Sequence, residues 1–435
     1  MMKVCVQGLW HLGSVTAACL ASVGHDIVGL DADQRTIDGL NQGKAPLFEP
    51  GLDDLLQTGI AKGRLRFTTV IADAAADAEV LWVAFDTPVD DDDRADVKFV
   101  LNQIEDVLPV LTHGAIVLVS SQMPVGSIRK LEAFVRENLA NKQLGFACSP
   151  ENLRLGKALD VFLNPDRIVV GVRTTDARCE LEKLLLPITD RIEWMSVESA
   201  EMTKHAINAF LATSVTFANE IASICELVGA DAKEVERGLK TEMRIGPKAY
   251  LSPGGPFAGG TLARDIEFLG MASRARQLAT PLLSSVRASN DEHKNWTRRK
   301  LLERFGDLRG VTVAVWGLTY KPGTDTLRRS LAVELCDWLI EQGAAVHVHD
   351  PVVRQLPVRW SGRVVSHARA LDAVAGADAL VVGTEWLEFR QEAAGLLSAA
   401  SPNLVVIDAN RHLQAVVASL GLKYVAVGTP SATED

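Results

Sequence analysis

Short apolar runs rich in β-branched residues recur through the first part of the chain, at 3–7, 25–30, 80–85 and 116–120, ending in Gly, Asp or Thr-Pro. Between them lie stretches with apolar residues at helical spacing, such as 14–23. Strand runs alternating with helices predict a parallel sheet covered on both faces. The pattern returns near the C-terminus. Val4-Cys5-Val6-Gln7-Gly8-Leu9 matches Val313-Ala314-Val315-Trp316-Gly317-Leu318, and GHDIVGLD at 24–31 matches GAAVHVHD at 343–350. Asp77-Ala78-Glu79-Val80-Leu81 likewise matches Ala377-Asp378-Ala379-Leu380-Val381. Any two buried βαβ units share some of this pattern. The ordered matches favour an α/β chain with two doubly wound, Rossmann-like domains built to one plan, each with a crevice at its switch point.

Residues 197–305 lack strand signals, and 200–228 carries apolar residues at helical spacing without proline. That predicts a helical domain with a long central helix, either core or dimer seam. The expected division is 1–197, 198–305 and 306–435, in line with a length of 435 residues.

Apolar residues make up 47% and charged residues 23%, the balance of a globular protein. No apolar run reads as long enough to span a bilayer, and Gly8 interrupts the start too soon for a signal peptide. A net charge of −10 without a basic run argues against nucleic acid. Anionic ligands would then be held by a few placed cations and helix N-termini. Six scattered cysteines fit no disulfide framework or zinc site and point to a reducing, cytoplasmic setting. Nine histidines show no ligand spacing, so no metal is expected.

After the first strand, Gly8-Leu9-Trp10-His11-Leu12-Gly13 opens a helix, and Asp31 ends the next strand. Gly8 suits the tight turn, Gly13 permits close helix–sheet packing, and the N–H groups at the helix start suit a pyrophosphate. Asp31 would accept from ribose hydroxyls and repel a 2′-phosphate, favouring NAD over NADP. Arg35 joins this cofactor set. Trp10 occupies a place where a second glycine usually admits the phosphates.

Further motifs follow in order. They are Phe48-Glu49-Pro50-Gly51-Leu52, Pro150-Glu151-Asn152-Leu153-Arg154 with Pro165-Asp166-Arg167-Ile168, and Glu201-Met202-Thr203-Lys204 with Asn208-Ala209-Phe210. Arg244-Ile245-Gly246 is next, then Pro253-Gly254 with Gly259 and Asp265, and Tyr320-Lys321-Pro322 with Thr324-Asp325 and Arg328. On these motifs the chain resembles the UDP-glucose/GDP-mannose dehydrogenase family from end to end. Members typically oxidise the primary alcohol of a sugar nucleotide to a carboxylate with two NAD in succession, for polysaccharide biosynthesis.

Lys204 and Asn208, four apart, share one helix face, where ammonium and amide could reach one oxygen. The resemblance implies that both stabilise developing negative charge. It also implies that Asp265 handles the proton through water and that Glu151 handles protons near the sugar. Glu151, Asn152, Leu153 and Arg154 would line the sugar nucleotide, as would Tyr250, Leu251, Gly254 and Lys321. Arg244 would reach it from the neighbouring subunit of a homodimer. Thr87, Gln122, Arg264 and Arg328 would meet the cofactor. On the residues alone, Lys204 reads equally as a solvated helix charge, Asn208 as a core amide and Glu151 as a helix-start acid.

The family's nucleophilic Cys has no counterpart. Thr261 stands at its place in Gly259-Gly260-Thr261-Leu262-Ala263-Arg264-Asp265. A threonine hydroxyl has a far higher pKa than a thiol and no base beside it here. Gln122 replaces the usual Thr, and Leu155 replaces a second Glu. Cys148 reads as a buried structural thiol. Three readings follow. One is NAD-dependent oxidation of a UDP-hexose at C6, stopping after one hydride transfer or continuing through the aldehyde hydrate. The others are a silent or regulatory nucleotide-sugar and NAD binder, and a hydride-shuttling epimerase.

Overall fold

A computed structural model describes residues 1–88, 90, 95–151, 153–258 and 260–430. Asn152 and Gly259, both among the expected motif residues, lie outside that set. The chain divides into two compact units, Met1–Ile207 and Asn208–Asp435.

The first unit holds strands β1 (Lys3–Gln7), β2 (Asp26–Leu30), β3 (Leu65–Thr68), β4 (Val80–Val83), β5 (Ile116–Val119), β6 (Gly145–Cys148), β7 (Ile168–Val172) and β8 (Ile192–Met195). Their order is β3-β2-β1-β4-β5-β6-β7-β8, parallel except for β6 against β7. The order reverses between β1 and β4, so a crevice opens beyond the C-terminal ends of those strands. β4 and β5 are buried along their whole length because helices cover both faces, which is why they read as unbroken apolar runs.

The second unit contains β9 (Thr312–Trp316), β10 (Ala345–His349), β11 (Val364–Ser366), β12 (Ala379–Val382), β13 (Val405–Ile407) and β14 (Lys423–Val425). They form an all-parallel sheet in the order β11-β10-β9-β12-β13-β14, the same winding as the first six strands of the other sheet. Gly8 and Gly317 both sit at φ +86°. Leu9 N–H donates to Asp31 Oδ2 at 2.7 Å, and Leu318 N–H donates to Asp350 Oδ2 at 2.7 Å. The matching sequence segments therefore occupy matching places in two doubly wound sheets.

No strand is present among the described residues of 197–305. The long helix is Val197–Val228, 32 residues, starting three positions before the predicted one. By length and composition it is capable of crossing a membrane, which corrects the expectation that no apolar run is long enough. Half of its most apolar window is buried in the protein.

At its start, Glu198 accepts from Arg173 at 2.6 Å and from Arg129 at 2.8 Å, tying the helix to the end of β7. Hydrogen bonds from Arg173 first, then Arg129, hold the Glu198 carboxyl at about 2 against an ordinary 4.5. A depressed acid contributes stability that is present above pH 4.5 and lost as pH falls toward 2. Glu198→Gln is expected to lower stability by about 1 kcal/mol near neutrality, the scale of a part-exposed pair. The difference in melting temperature from the parent should shrink toward zero at pH 2. A difference that stays constant with pH would contradict this.

Candidate active site

In the first unit the dinucleotide turn is built from the backbone outward. A Cβ on Gly8 would lie 2.6 Å from the Phe85 ring, and one on Gly13 would overlap the Gly8 carbonyl oxygen. Both positions therefore exclude any larger residue. Trp10 sits at φ −65°, so the turn needs no glycine there, and its side chain is half exposed. Leu9 and Leu12 are buried in the core, leaving only their backbone to face a ligand. Asp31 at the end of β2 accepts from Leu9 N–H and, through its other oxygen, from Asp33 N–H at 3.0 Å. Its carboxylate is thereby aimed. Arg35 is exposed on the following helix, Gln34–Asn41. The turn, the helix N-terminus and the aimed acid fit NAD.

Beside it, the Thr87 hydroxyl donates to the Gln122 carbonyl at 2.7 Å, bringing two expected cofactor residues together. Gln122 lines a small cavity with Ser121, Cys148, Glu151, Glu201 and Lys204. The Lys204 ammonium donates to the Glu151 carbonyl oxygen at 2.6 Å, and the Glu151 carboxylate accepts from Leu153 N–H. The Ser121 hydroxyl is buried with no hydrogen-bond partner among the described residues. A polar group so placed is the kind that a bound water satisfies. Burial raises the Glu201 carboxyl, although it accepts from Gly126 and Ile128 N–H at 2.7 and 3.1 Å. Burial, reinforced by the Glu201 charge, also pushes the Cys148 thiol far above the range in which a thiolate forms. It is a structural thiol. Arg154 and Leu155 are exposed on the same segment.

In the second unit, Thr261 is the first residue of the helix Thr261–Arg274 and is exposed, with Gly260 before it at φ +98°. One turn on, Asp265 is wholly buried and accepts from the Asn208 amide, which is itself buried. Arg264 lies in that same first turn. Lys321, Tyr320, Arg329, His293, Thr384 and Asn410 help to line a cavity of about 400 Å³ at the C-terminal ends of β9 and β12. Its loop is pinned at Gly254: the N–H donates to Asn219 at 3.0 Å, and the carbonyl pairs with His293 Nε2 at 2.8 Å. Burial lowers the His293 pKa, so the ring is neutral and donates through Nε2. Tyr250 and Leu251 lie earlier on this loop, Tyr250 exposed, and neither lines the cavity. Arg328 is exposed in the turn after β9. Arg244 is 88% exposed and paired with Glu242 at 2.9 Å.

Sequence reasoning missed several groups. Arg329, at φ +61°, takes a conformation rare for a large side chain, and no local signal announces it. His293, Asn219 and Asn410 hold the Gly254 loop from distant positions. Glu49 pairs with His11 Nε2 at 2.9 Å, and the Phe48–Leu52 motif was its only trace.

Three family models match in series: the NAD-binding domain of the UDP-glucose/GDP-mannose dehydrogenase family at 2–189, its central domain at 198–292 and its UDP-binding domain at 314–415. The chain is 35% identical to UDP-glucose 6-dehydrogenase of Pseudomonas aeruginosa, over 99% of this chain and 98% of that protein. It is 35% identical to UDP-glucose 6-dehydrogenase of Rhizobium meliloti, over 99% and 100%. A UDP-glucose dehydrogenase structure from Pyrobaculum islandicum superimposes with a TM-score of 0.84 at 27% identity, covering 99% and 98%.

Proposed function

The chain belongs to the UDP-glucose/GDP-mannose dehydrogenase family and is an NAD-dependent nucleotide-sugar dehydrogenase, and from this premise we propose that it oxidises a UDP-hexose at C6 and stops at the aldehyde. The observation that carries the second half is Thr261 at the helix start where the resemblance puts the nucleophilic Cys, with Cys148 too deeply buried to substitute. The Gly8–Gly13 turn and Asp31 would hold NAD, which would supply the acceptor for the hydride leaving the sugar carbon. The chain supplies the rest. Lys204 and Asn208, one turn apart on the same helix, stabilise charge on the C6 oxygen. Asp265, already bonded to Asn208, takes the alcohol proton through a water, and Glu151 keeps Lys204 oriented through its carbonyl. Carrying an aldehyde on to an acid requires a nucleophile at the carbonyl carbon, and a threonine hydroxyl is a poor one.

Stoichiometry tests this. The protein is expected to form one NADH per UDP-glucose and a carbonyl product that a hydrazide reagent traps. Two NADH with a uronate would overturn the single oxidation and favour the aldehyde hydrate. No NADH from any of a panel of UDP-sugars would favour a binding-only protein.

The same reading makes the protein a cytoplasmic homodimer with the domain division 1–197, 198–305 and 306–435. Phe210, Phe217, Ile224 and Leu227 are exposed along one side of the long helix, at spacings of a helical seam. Sedimentation at micromolar concentration is expected to give a dimer or larger. A fully active monomer would remove both the seam and the role of Arg244 across it.

A further inference from the structure

Glu49 is 4% exposed, and both of its oxygens are occupied. Oε1 accepts from Ala158 N–H at 2.8 Å, and Oε2 accepts from Gly156 N–H at 2.8 Å and pairs with His11 Nε2 at 2.9 Å. These donors come from two different segments. His11 is the first residue of the helix that opens the dinucleotide turn. Gly156 and Ala158 follow the segment that begins at Glu151, whose carbonyl anchors Lys204.

We infer that Glu49 is a positioning residue that couples the dinucleotide turn to the nucleotide-sugar segment, so that filling one site tightens the other. The inference rests on the proposed role of residues 151–154 in binding the sugar nucleotide. Burial alone would raise the Glu49 carboxyl, but the bonds from Gly156, His11 and Ala158 outweigh it and keep the group ionised. The His11 side chain is 13% exposed and that of Glu49 is 1%, so water cannot take up slack in the chain. A displacement of the helix start is therefore passed to the 151–158 backbone instead of being absorbed by solvent. Three donors need an acceptor with two oxygens. Glutamine offers one and cannot hold all three.

The test is the dissociation constant of NADH, read by its fluorescence, with and without saturating UDP-glucose. This pair does not turn over. In the parent protein UDP-glucose is expected to tighten NADH about tenfold, and NADH to tighten UDP-glucose by the same factor. In Glu49→Gln and His11→Phe the ratio should fall to within about twofold of one. His11→Gln, whose amide nitrogen takes the place of Nε2, should restore most of it. A merely structural staple would lower the melting temperature of the variants and leave the ratio intact, and that result would overturn the inference. Independent binding of the two ligands in the parent would overturn it too, with the substrate reading untouched. Failure of UDP-glucose to bind the parent at all would remove the UDP-hexose reading and this inference with it.

Discussion

Lys204→Ala is expected to lower kcat by about a hundredfold or more, the scale of losing one preorganised charge at a reacting oxygen. The side chain is partly buried in the cavity with Glu151 and Gln122, where its ammonium is held 2.6 Å from the Glu151 carbonyl. A charge fixed in that way need not reorganise as the alkoxide develops, so its benefit falls on the transition state more than on binding. The loss should appear in kcat, with KM for the sugar nucleotide changed much less. Arginine should not rescue it, because a planar fork cannot occupy the position of a compact ammonium. Stopped-flow NADH formation at saturating substrate gives the answer. A loss under threefold in a variant with parental melting temperature would remove Lys204 from the mechanism.

Asp31→Ala is expected to narrow the preference for NAD over NADP by roughly a hundredfold, from two effects of about tenfold each. The first is loss of charge-assisted hydrogen bonds to the ribose hydroxyls. The second is relief of repulsion toward a 2′-phosphate. Because Leu9 N–H also depends on this carboxylate, NAD should weaken further as the turn loosens. Titration of both cofactors against the parent and the variant decides it. Equal affinities of the parent for NAD and NADP would refute the role given to Asp31.

What the sequence disclosed followed the range of the forces involved. β4 and β5 were legible because central parallel strands are apolar along their length, and β1 and β2 because each carries a short β-branched apolar run. β3 alternates buried and exposed positions over four residues, and β6 is a Gly-Phe-Ala-Cys stretch, so neither carries that signal. Gly8 and Gly13 were legible because a turn's needs are met within a few residues, and Asp31, 22 positions from Leu9, because an acid at the end of the second strand belongs to the motif. The backbone of the turn is built without a glycine at Trp10, whose φ is negative. The bonds from Glu49 to Gly156 and Ala158 span 107 and 109 positions, and the pinning of Gly254 by His293 spans 39. Periodicity and spacing cannot see such pairs. Asn208 and Asp265 were each named by resemblance, in separate roles, while the hydrogen bond that joins them emerged only from the packing of two helices.

The paired turns bear on redesign. Asp350 accepts from Leu318 and Thr319 N–H at 2.7 and 3.2 Å, as Asp31 accepts from Leu9, although it lies in the segment matched by the UDP-binding domain, 314–415. An acid at the end of the second strand is thus first a clasp for the glycine turn, whatever nucleotide lies above it. A designer seeking an NADP-using version should therefore leave Asp31 in place and recruit a phosphate-binding cation nearby, from Ala32 or Arg35. Exchanging the acid itself would alter the selectivity and unfasten the turn in the same stroke.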